Sequence, residues 1–332
     1  MLLWAAFVAC TALIVYSGSR LSRYGDILAE KTGLGRAWVG LILMGSVTSL
    51  PELVTGVSSV TLAGAPNIAI GDVLGSCVFN MLILSSLDAF YRQAPISTKA
   101  HHGHVLSASM GILLLGIVSA SILSGVHAPQ IGWIGSYSIV FAFIYVLAMR
   151  LIFYYEKRHI AAYMKEVAVE LKYKDISLRN VLMNYSFNAV LVMVAAIMLP
   201  FLGKGIAAQT GLGETFVGNI FIALSTSLPE VVVSITAVRI DAIDLGIGNL
   251  FGSNIFNIFI LAIDDFFYVD GPLLAVAETG HLIAATSAIM MACIAIIGIT
   301  YRAERKSLLL AWDSMAIIGV YVINLMLLYM MT

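Results

Sequence analysis

Apolar residues along this chain gather into long runs, and polar residues collect in the short gaps between them. Ten runs are legible: 2–18, 37–62, 67–87, 104–124, 131–154, 180–202, 213–238, 243–263, 281–300 and 308–331. A helix of roughly 20 residues crosses the ~30 Å hydrocarbon core of a bilayer. The runs do not alternate at period two, as barrel strands would. The pattern therefore predicts an all-α membrane protein with ten transmembrane helices.

The second run carries an awkward phrase, "VTSLPELV" at 47–54, which puts Glu52 and Pro51 at membrane depth. A carboxylate there is expensive, and a proline removes a helix hydrogen bond. The phrase returns as "STSLPEVV" at 225–232, because the two halves of the chain repeat. With a shift of 178, "TGLGRAWVG" (32–40) aligns with "TGLGETFVG" (210–218), and "TSLPE" (48–52) with "TSLPE" (226–230). After one gap the shift is 177, and "IAIGDVLGSCVFNMLIL" (68–84) aligns with "LGIGNLFGSNIFNIFIL" (245–261). Asp88 then falls on Asp265, and "GHVL" (103–106) on "GHLI" (280–283). Each half holds five runs, and an odd number reverses the second copy in the membrane. The expected architecture is two inverted-topology five-helix repeats, 1–154 and 180–332, with a site near the midplane where they meet. The charged stretch 155–179 reads as a cytosolic linker, partly helical in pattern.

Composition agrees with a lipid setting. Of 332 residues, 60% are apolar and 11% charged, too few charges for a water-facing shell. The net charge of −1 and the lack of a basic tract give no sign of nucleic acid. Cys10, Cys77 and Cys293 all fall in apolar runs without a close pair, which speaks against a disulfide framework or thiolate metal site. The first run has no basic region ahead of it and no clear cleavage site, so it reads as a retained helix. With the N-terminus placed outside, 17 of the 18 Lys and Arg residues fall in inside loops, Lys204 being the exception. The positive-inside rule then puts both termini outside.

The chemistry collects on the awkward helices. Thr48 and Glu52 are one helical turn apart with Ser49 beside them, and Pro51 leaves the Val47 carbonyl without its usual donor. The second copy offers Thr226, Ser227, Glu230 and the carbonyl of Ser225. The following helices add Ser76 and Asn80 in "GSCVFN" and Ser253 and Asn257 in "GSNIFN", and Gly75 and Gly252 are expected to allow close helix approach. All are oxygen ligands, the preference of a hard cation such as Ca²⁺ or Na⁺. No basic residue in these helix centres would suit an anion.

The paired "TSLPE" and "GS-x-x-x-N" helices resemble the two alpha repeats of the cation/calcium exchanger superfamily, close to its sodium/calcium exchangers. The motif stretches are 45–88 and 222–265, and by helix count the resemblance covers nearly the whole chain. It implies ten helices, a central Ca²⁺ site and alternating occupation by Na⁺. It implies Glu52, Glu230, Thr48 and Thr226 as Ca²⁺ ligands, Ser49, Ser76, Ser227 and Ser253 as Na⁺ ligands, and Asn80 and Asn257 as central polar residues. The protein implied is a multi-pass antiporter of the cell membrane, with no catalytic residues and no cofactor beyond its transported ions.

Departures sharpen the expectation. Val47 and Ser225 stand where the family often has glycine. Cys77 stands where the second repeat has Asn254. Asn257 occupies a place where potassium-dependent relatives have Asp, which weakens a case for K⁺ cotransport. The "GN-x-x-E" phrase of proton-coupled relatives is absent, yet an antiporter coupling H⁺ to Ca²⁺ or another divalent cation remains the alternative on the same glutamates. A channel would want a filter loop and a hydrolase an activated nucleophile, and neither is evident. Asp88, Asp264 and Asp265 lie one or two turns beyond the core asparagines and read either as helix ends at the membrane surface or as access-path carboxylates. His101, His102 and His104 read as a polar helix start rather than a metal site, with His281 as the repeat mate of His104. Asn67 and Asp244 read as N-caps. The oligomeric state is not legible.

Overall fold

The computed structural model describes residues 2–127, 129–166, 173, 176–210, 226–303, 306 and 309–331. Nine helices among these residues are long and apolar enough to cross a membrane. The expected span 213–238 falls on described residues only from Thr226 onward, and Ser225 and "GLGETFVG" lie outside them.

The chain begins with α1 (Leu2–Thr32), longer than the first apolar run because its polar last turns continue the helix inside the protein. There follow α2 (Arg36–Trp38), a π-helical stretch (Val39–Met44), α3 (Gly45–Thr48) and α4 (Leu50–Thr61), which together make one broken span. Next come α5 (Pro66–Phe90), the short α6 (Ile96–Lys99), α7 (Gly103–Ser124) and α8 (Ser136–Glu166). Helix α8 runs on to Glu166, into the stretch expected to form the partly helical linker. The second half holds α9 (Leu178–Thr210), α10 (Leu228–Arg239), α11 (Ile243–Phe267), α12 (Gly280–Tyr301) and α13 (Trp312–Met331). A two-residue strand pair, Gln130–Ile131 with Ile134–Gly135, closes the loop before α8.

Local chemistry sets the helix ends. Pro66 opens α5 with a backbone angle already suited to a helix and an N–H that would have been orphaned. Gly125, at φ +51°, ends α7 in a conformation that side chains resist.

Long helices pack against their counterparts from the other half: α1 on α9, α5 on α11, and α7 on α12. Helices α5 and α11 are the most enclosed spans and form the centre. Large apolar side chains on the outer helices, among them Val8, Phe143, Phe187 and Tyr329, stay exposed, as a lipid-facing belt requires. Close approach is built into the centre. A Cβ on Gly252 would collide with the Leu41 backbone, and one on Gly45 with the backbone of Gly252 and Ser253. Gly252 thus acts as expected; the counterpart surface for Gly75, near position 219, lies outside the described residues.

Candidate functional site

The repeated phrase breaks its helix in both copies. Ser49 sits between α3 and α4 at φ −91°, ψ 10°. Ser227 sits before α10 at φ −88°, ψ 4°. The matching angles follow from Pro51 and Pro229, which occupy the first turn of the new helix and cannot donate backward. Thr48 therefore ends one helix and Glu52 starts the next. Neither residue needs a Gly at 47 for this, because Gly45, two positions earlier, already gives the close approach.

The expected site residues converge. Thr48, Ser49, Glu52, Thr226, Ser227, Glu230, Ser253 and Asn257 are essentially inaccessible, and Ser76 and Asn80 nearly so. Their hydrogen bonds cross between halves. Ser49 Oγ donates to Glu230 Oε1 at 3.2 Å, and Ser76 and Ser227 hydroxyls are 3.4 Å apart. Thr48 Oγ1 lies 3.3 Å from Ser253 Oγ and donates to Asn249 Oδ1, also at 3.3 Å. Within each half the following helix reaches its own glutamate: Ser76 Oγ to Glu52 Oε1 at 3.5 Å, and Ser253 Oγ to Glu230 Oε1 at 3.3 Å. The two carboxylates are thus held in equivalent ways and lie within electrostatic reach of each other.

What the network leaves over is informative. Glu52 Oε2, Glu230 Oε2, Asn80 Oδ1 and both polar atoms of Asn257 are buried without a hydrogen-bond partner among the described residues. Buried acceptors are ordinarily satisfied, and a carboxylate oxygen stranded in low dielectric is costly. A bound cation is one kind of partner that stranded carboxylate and amide oxygens accept. No cluster of three or more His, Cys, Asp or Glu side chains able to hold a metal occurs among the described residues. Two carboxylates with neutral amides and hydroxyls suit a hard ion held weakly enough to leave.

Several participants escape a reading of the motifs alone. Asn254 accepts from Asn80 Nδ2 at 2.9 Å and donates to the Cys77 carbonyl at 3.2 Å, locking α5 to α11. Its signal was the mismatch between Cys77 and Asn254. Asn249, which binds Thr48, also donates to Ser234 Oγ at 3.0 Å.

The three acidic residues beyond the asparagines separate. Asp88 accepts from Ile96 N at 2.8 Å and Ala311 N at 2.5 Å, and pairs with Lys306 at 2.8 Å. Asp265 accepts from Leu273 N at 2.6 Å, Gly135 N at 2.8 Å, Tyr137 Oη at 2.7 Å and Ser138 Oγ at 2.6 Å. Both are clamps that fasten the loop eight residues on, and the repeat preserves the device. Asp264 is fully buried with neither oxygen partnered among the described residues, so it is no surface helix end.

Asn67 and Asp244 are not N-caps. Helices α5 and α11 are capped by Ala65 and Ala242 without side-chain bonds. Asp244 instead accepts from His104 Nε2 at 3.0 Å and His101 N at 2.8 Å, across the halves. Asn67 accepts from His281 Nε2 at 3.1 Å and Glu278 N at 3.0 Å in the equivalent place. Position two of the helix points toward the neighbouring helix start, and that contact outcompetes capping. The histidines thus have the shared helix-start role that their spacing suggested. The bond with the Glu156 carboxylate raises the His101 pKa above its ordinary value.

Comparison with known proteins bears on the family and the fold. The sequence profile of a family described as sodium/calcium exchanger protein matches residues 2–153 and again 179–330. The inner membrane protein YrbG of Escherichia coli strain K12 is 27% identical over 263 residues, 79% of this chain and 78% of YrbG. The sodium/calcium exchanger MaX1 of Methanosarcina acetivorans is 34% identical over 124 residues, 37% of this chain and 33% of MaX1. The solved structure of the sodium-calcium exchanger NCX_Mj, soaked with 100 mM Na⁺ and 10 mM Sr²⁺, superposes with a TM-score of 0.76 at 20% identity, covering 98% of this chain and 97% of that one. That likeness carries the fold.

Proposed function

The chain belongs to the sodium/calcium exchanger protein family, and on that premise we propose that it is a secondary antiporter that exchanges Ca²⁺ for Na⁺ across the cell membrane by alternating access. The observation that carries this reading is the set of stranded oxygens: Glu52 Oε2, Glu230 Oε2, Asn80 Oδ1 and Asn257 Oδ1, all buried without a hydrogen-bond partner among the described residues. Glu52, Glu230, Thr48 and Thr226 are the proposed Ca²⁺ ligands. Ser49, Ser76, Ser227 and Ser253 are the proposed Na⁺ ligands, and Asn80 and Asn257 serve both ions.

The proposed frame is ten spans in two inverted five-helix repeats, 1–154 and 180–332, joined by the cytosolic stretch 155–179, with both termini outside. Support comes from the sequence repeat, the pairing of α1 with α9, α5 with α11 and α7 with α12, and the 17 inside basic residues. Two carboxylates neutralise one Ca²⁺, whereas three Na⁺ in the same site would leave a net charge of +1. Exchange with that stoichiometry would move charge and respond to membrane voltage.

Proton coupling is the second reading, because two buried carboxylates facing one site can also carry protons. Equilibrium binding of ⁴⁵Ca²⁺ to the purified protein separates the two. Displacement by Na⁺ at fixed pH is expected. Displacement by acid with no effect of Na⁺ would favour the proton reading.

A further inference from the structure

The two halves differ at one place beside the central site. In the first half, α4 carries Gly56 and α5 carries Asp72, and Asp264 of α11 packs against Gly56. The repeat shifts of 178 and 177 align these positions with Ser234, Asn249 and Leu87. That second trio is neutral and satisfied: Asn249 donates to Ser234, and Leu87 is buried among apolar groups. The first trio holds two carboxylates and no amide.

Asp264 is the sharpest feature. It is fully buried, and neither oxygen has a hydrogen-bond partner among the described residues. It lies in the last turn of α11, at the negative end of the helix dipole, where a carboxylate is disfavoured. Its carboxylate fills the space that a Cβ on residue 56 would take, so Gly56 is what lets it turn inward. Asp72 is half-buried, with one oxygen enclosed and unpartnered. It lies within electrostatic reach of Asp264, Glu52 and Glu230. A stranded intramembrane carboxylate pair, specific to one half, is relieved by a bound cation or by a proton, and no Lys, Arg or His pairs with either residue among the described ones.

We propose that Asp72 and Asp264 form a second cation site, cradled by Gly56, that receives the divalent ion as it passes between the central glutamates and one face of the membrane. The site lies where the end of α4, the start of α5 and the end of α11 meet, which the basic-residue count assigns to the outer face. The opposite face has the Asn249–Ser234 pair in its place. Capture of the ion is therefore asymmetric: stronger from the outer side than from the inner. The identity of the ion rests on the exchange reading above; the existence of the site does not.

The test uses the full chain. The variant D72N/D264L copies the neutral residues of the other half into this one. In proteoliposomes, it should raise the half-saturating Ca²⁺ concentration by about tenfold at the outer face, while the inner value stays at wild type. Equal shifts at both faces, or none at either, would overturn the proposal. Binding of ⁴⁵Ca²⁺ by equilibrium dialysis gives an arm that needs no transport. The E52Q/E230Q variant should retain one weak Ca²⁺ site, and adding the near-isosteric D264N should remove it. No residual Ca²⁺ in E52Q/E230Q, or residual binding indifferent to D264N, would also overturn it. If the wild type carries no Ca²⁺ flux, the exchange reading fails, and the dialysis arm alone decides the second site.

Discussion

Removing one charge from the central pair gives the most quantitative forecast. In Glu230→Gln the amide keeps an acceptor for Ser49 and Ser253, which now bond Oε1 at 3.2 and 3.3 Å. It loses the charge and places an N–H₂ donor where the unpartnered oxygen stands. At a separation of ~4 Å and an effective dielectric of ~20, one unit charge pair is worth about 4 kcal/mol. The loss is then about 8 kcal/mol for Ca²⁺ and about 4 kcal/mol for Na⁺. Relaxation of the site will recover part of this, but even half leaves Ca²⁺ roughly a thousandfold weaker and Na⁺ roughly thirtyfold weaker. The assay is ⁴⁵Ca²⁺ and ²²Na⁺ binding to purified protein, with size-exclusion elution and melting temperature showing that the variant folds. Glu52→Gln, held in the equivalent way by Ser76, should behave alike. Ca²⁺ binding within a few-fold of wild type in either variant would refute the assignment of these carboxylates to the ion.

Other forecasts address coupling, topology and scaffold. Ser49→Ala and Ser227→Ala should weaken apparent Na⁺ affinity by more than they weaken Ca²⁺ affinity, because a monovalent ion depends more on each neutral ligand; equal effects on both ions would contradict this. In a cysteine-free background, single cysteines placed in 155–179 should react with an impermeant maleimide only from the cytosolic side, and cysteines at either terminus only from outside. Asp88→Ala removes the charge partner of Lys306, leaving it the Asp88 and Tyr91 carbonyls, and strands the amides of Ile96 and Ala311. It should cost about 3–5 kcal/mol of stability, as removal of one partner of a buried pair does, and lower the melting temperature without changing the ratio of Na⁺ to Ca²⁺ affinities.

How far the sequence could carry this account depended on repetition. Glu52 and Glu230 stood out because an expensive residue occurred twice in one register, and the structure buries both, each bonded to the serine of its following helix, Ser76 and Ser253. The helix breaks were legible from Pro51 and Pro229 for the same reason. Asn254 and Asn249 were harder to see. Their importance comes from partners on other helices, Asn80 and Thr48, that local spacing cannot reveal. Asn67 and Asp244 were misread as caps because an Asn or Asp near a helix start satisfies the local rule. The bonds they make instead, to His281 and His104, reach a helix start in the opposite half. Asp88, Asp264 and Asp265 looked alike in sequence. Only packing separates two loop clamps, each accepting several N–H or O–H bonds, from Asp264, whose carboxylate has none among the described residues.

The central claim is that Na⁺ drives Ca²⁺ through the site of Glu52 and Glu230. Uptake of ⁴⁵Ca²⁺ into proteoliposomes, with Na⁺, H⁺ and K⁺ gradients imposed one at a time, tests it most directly. An outward Na⁺ gradient at fixed pH and without K⁺ should drive uptake, and Glu52→Gln should abolish it. Full transport driven by a pH gradient with no Na⁺ present would contradict the claim and make the same glutamates proton carriers.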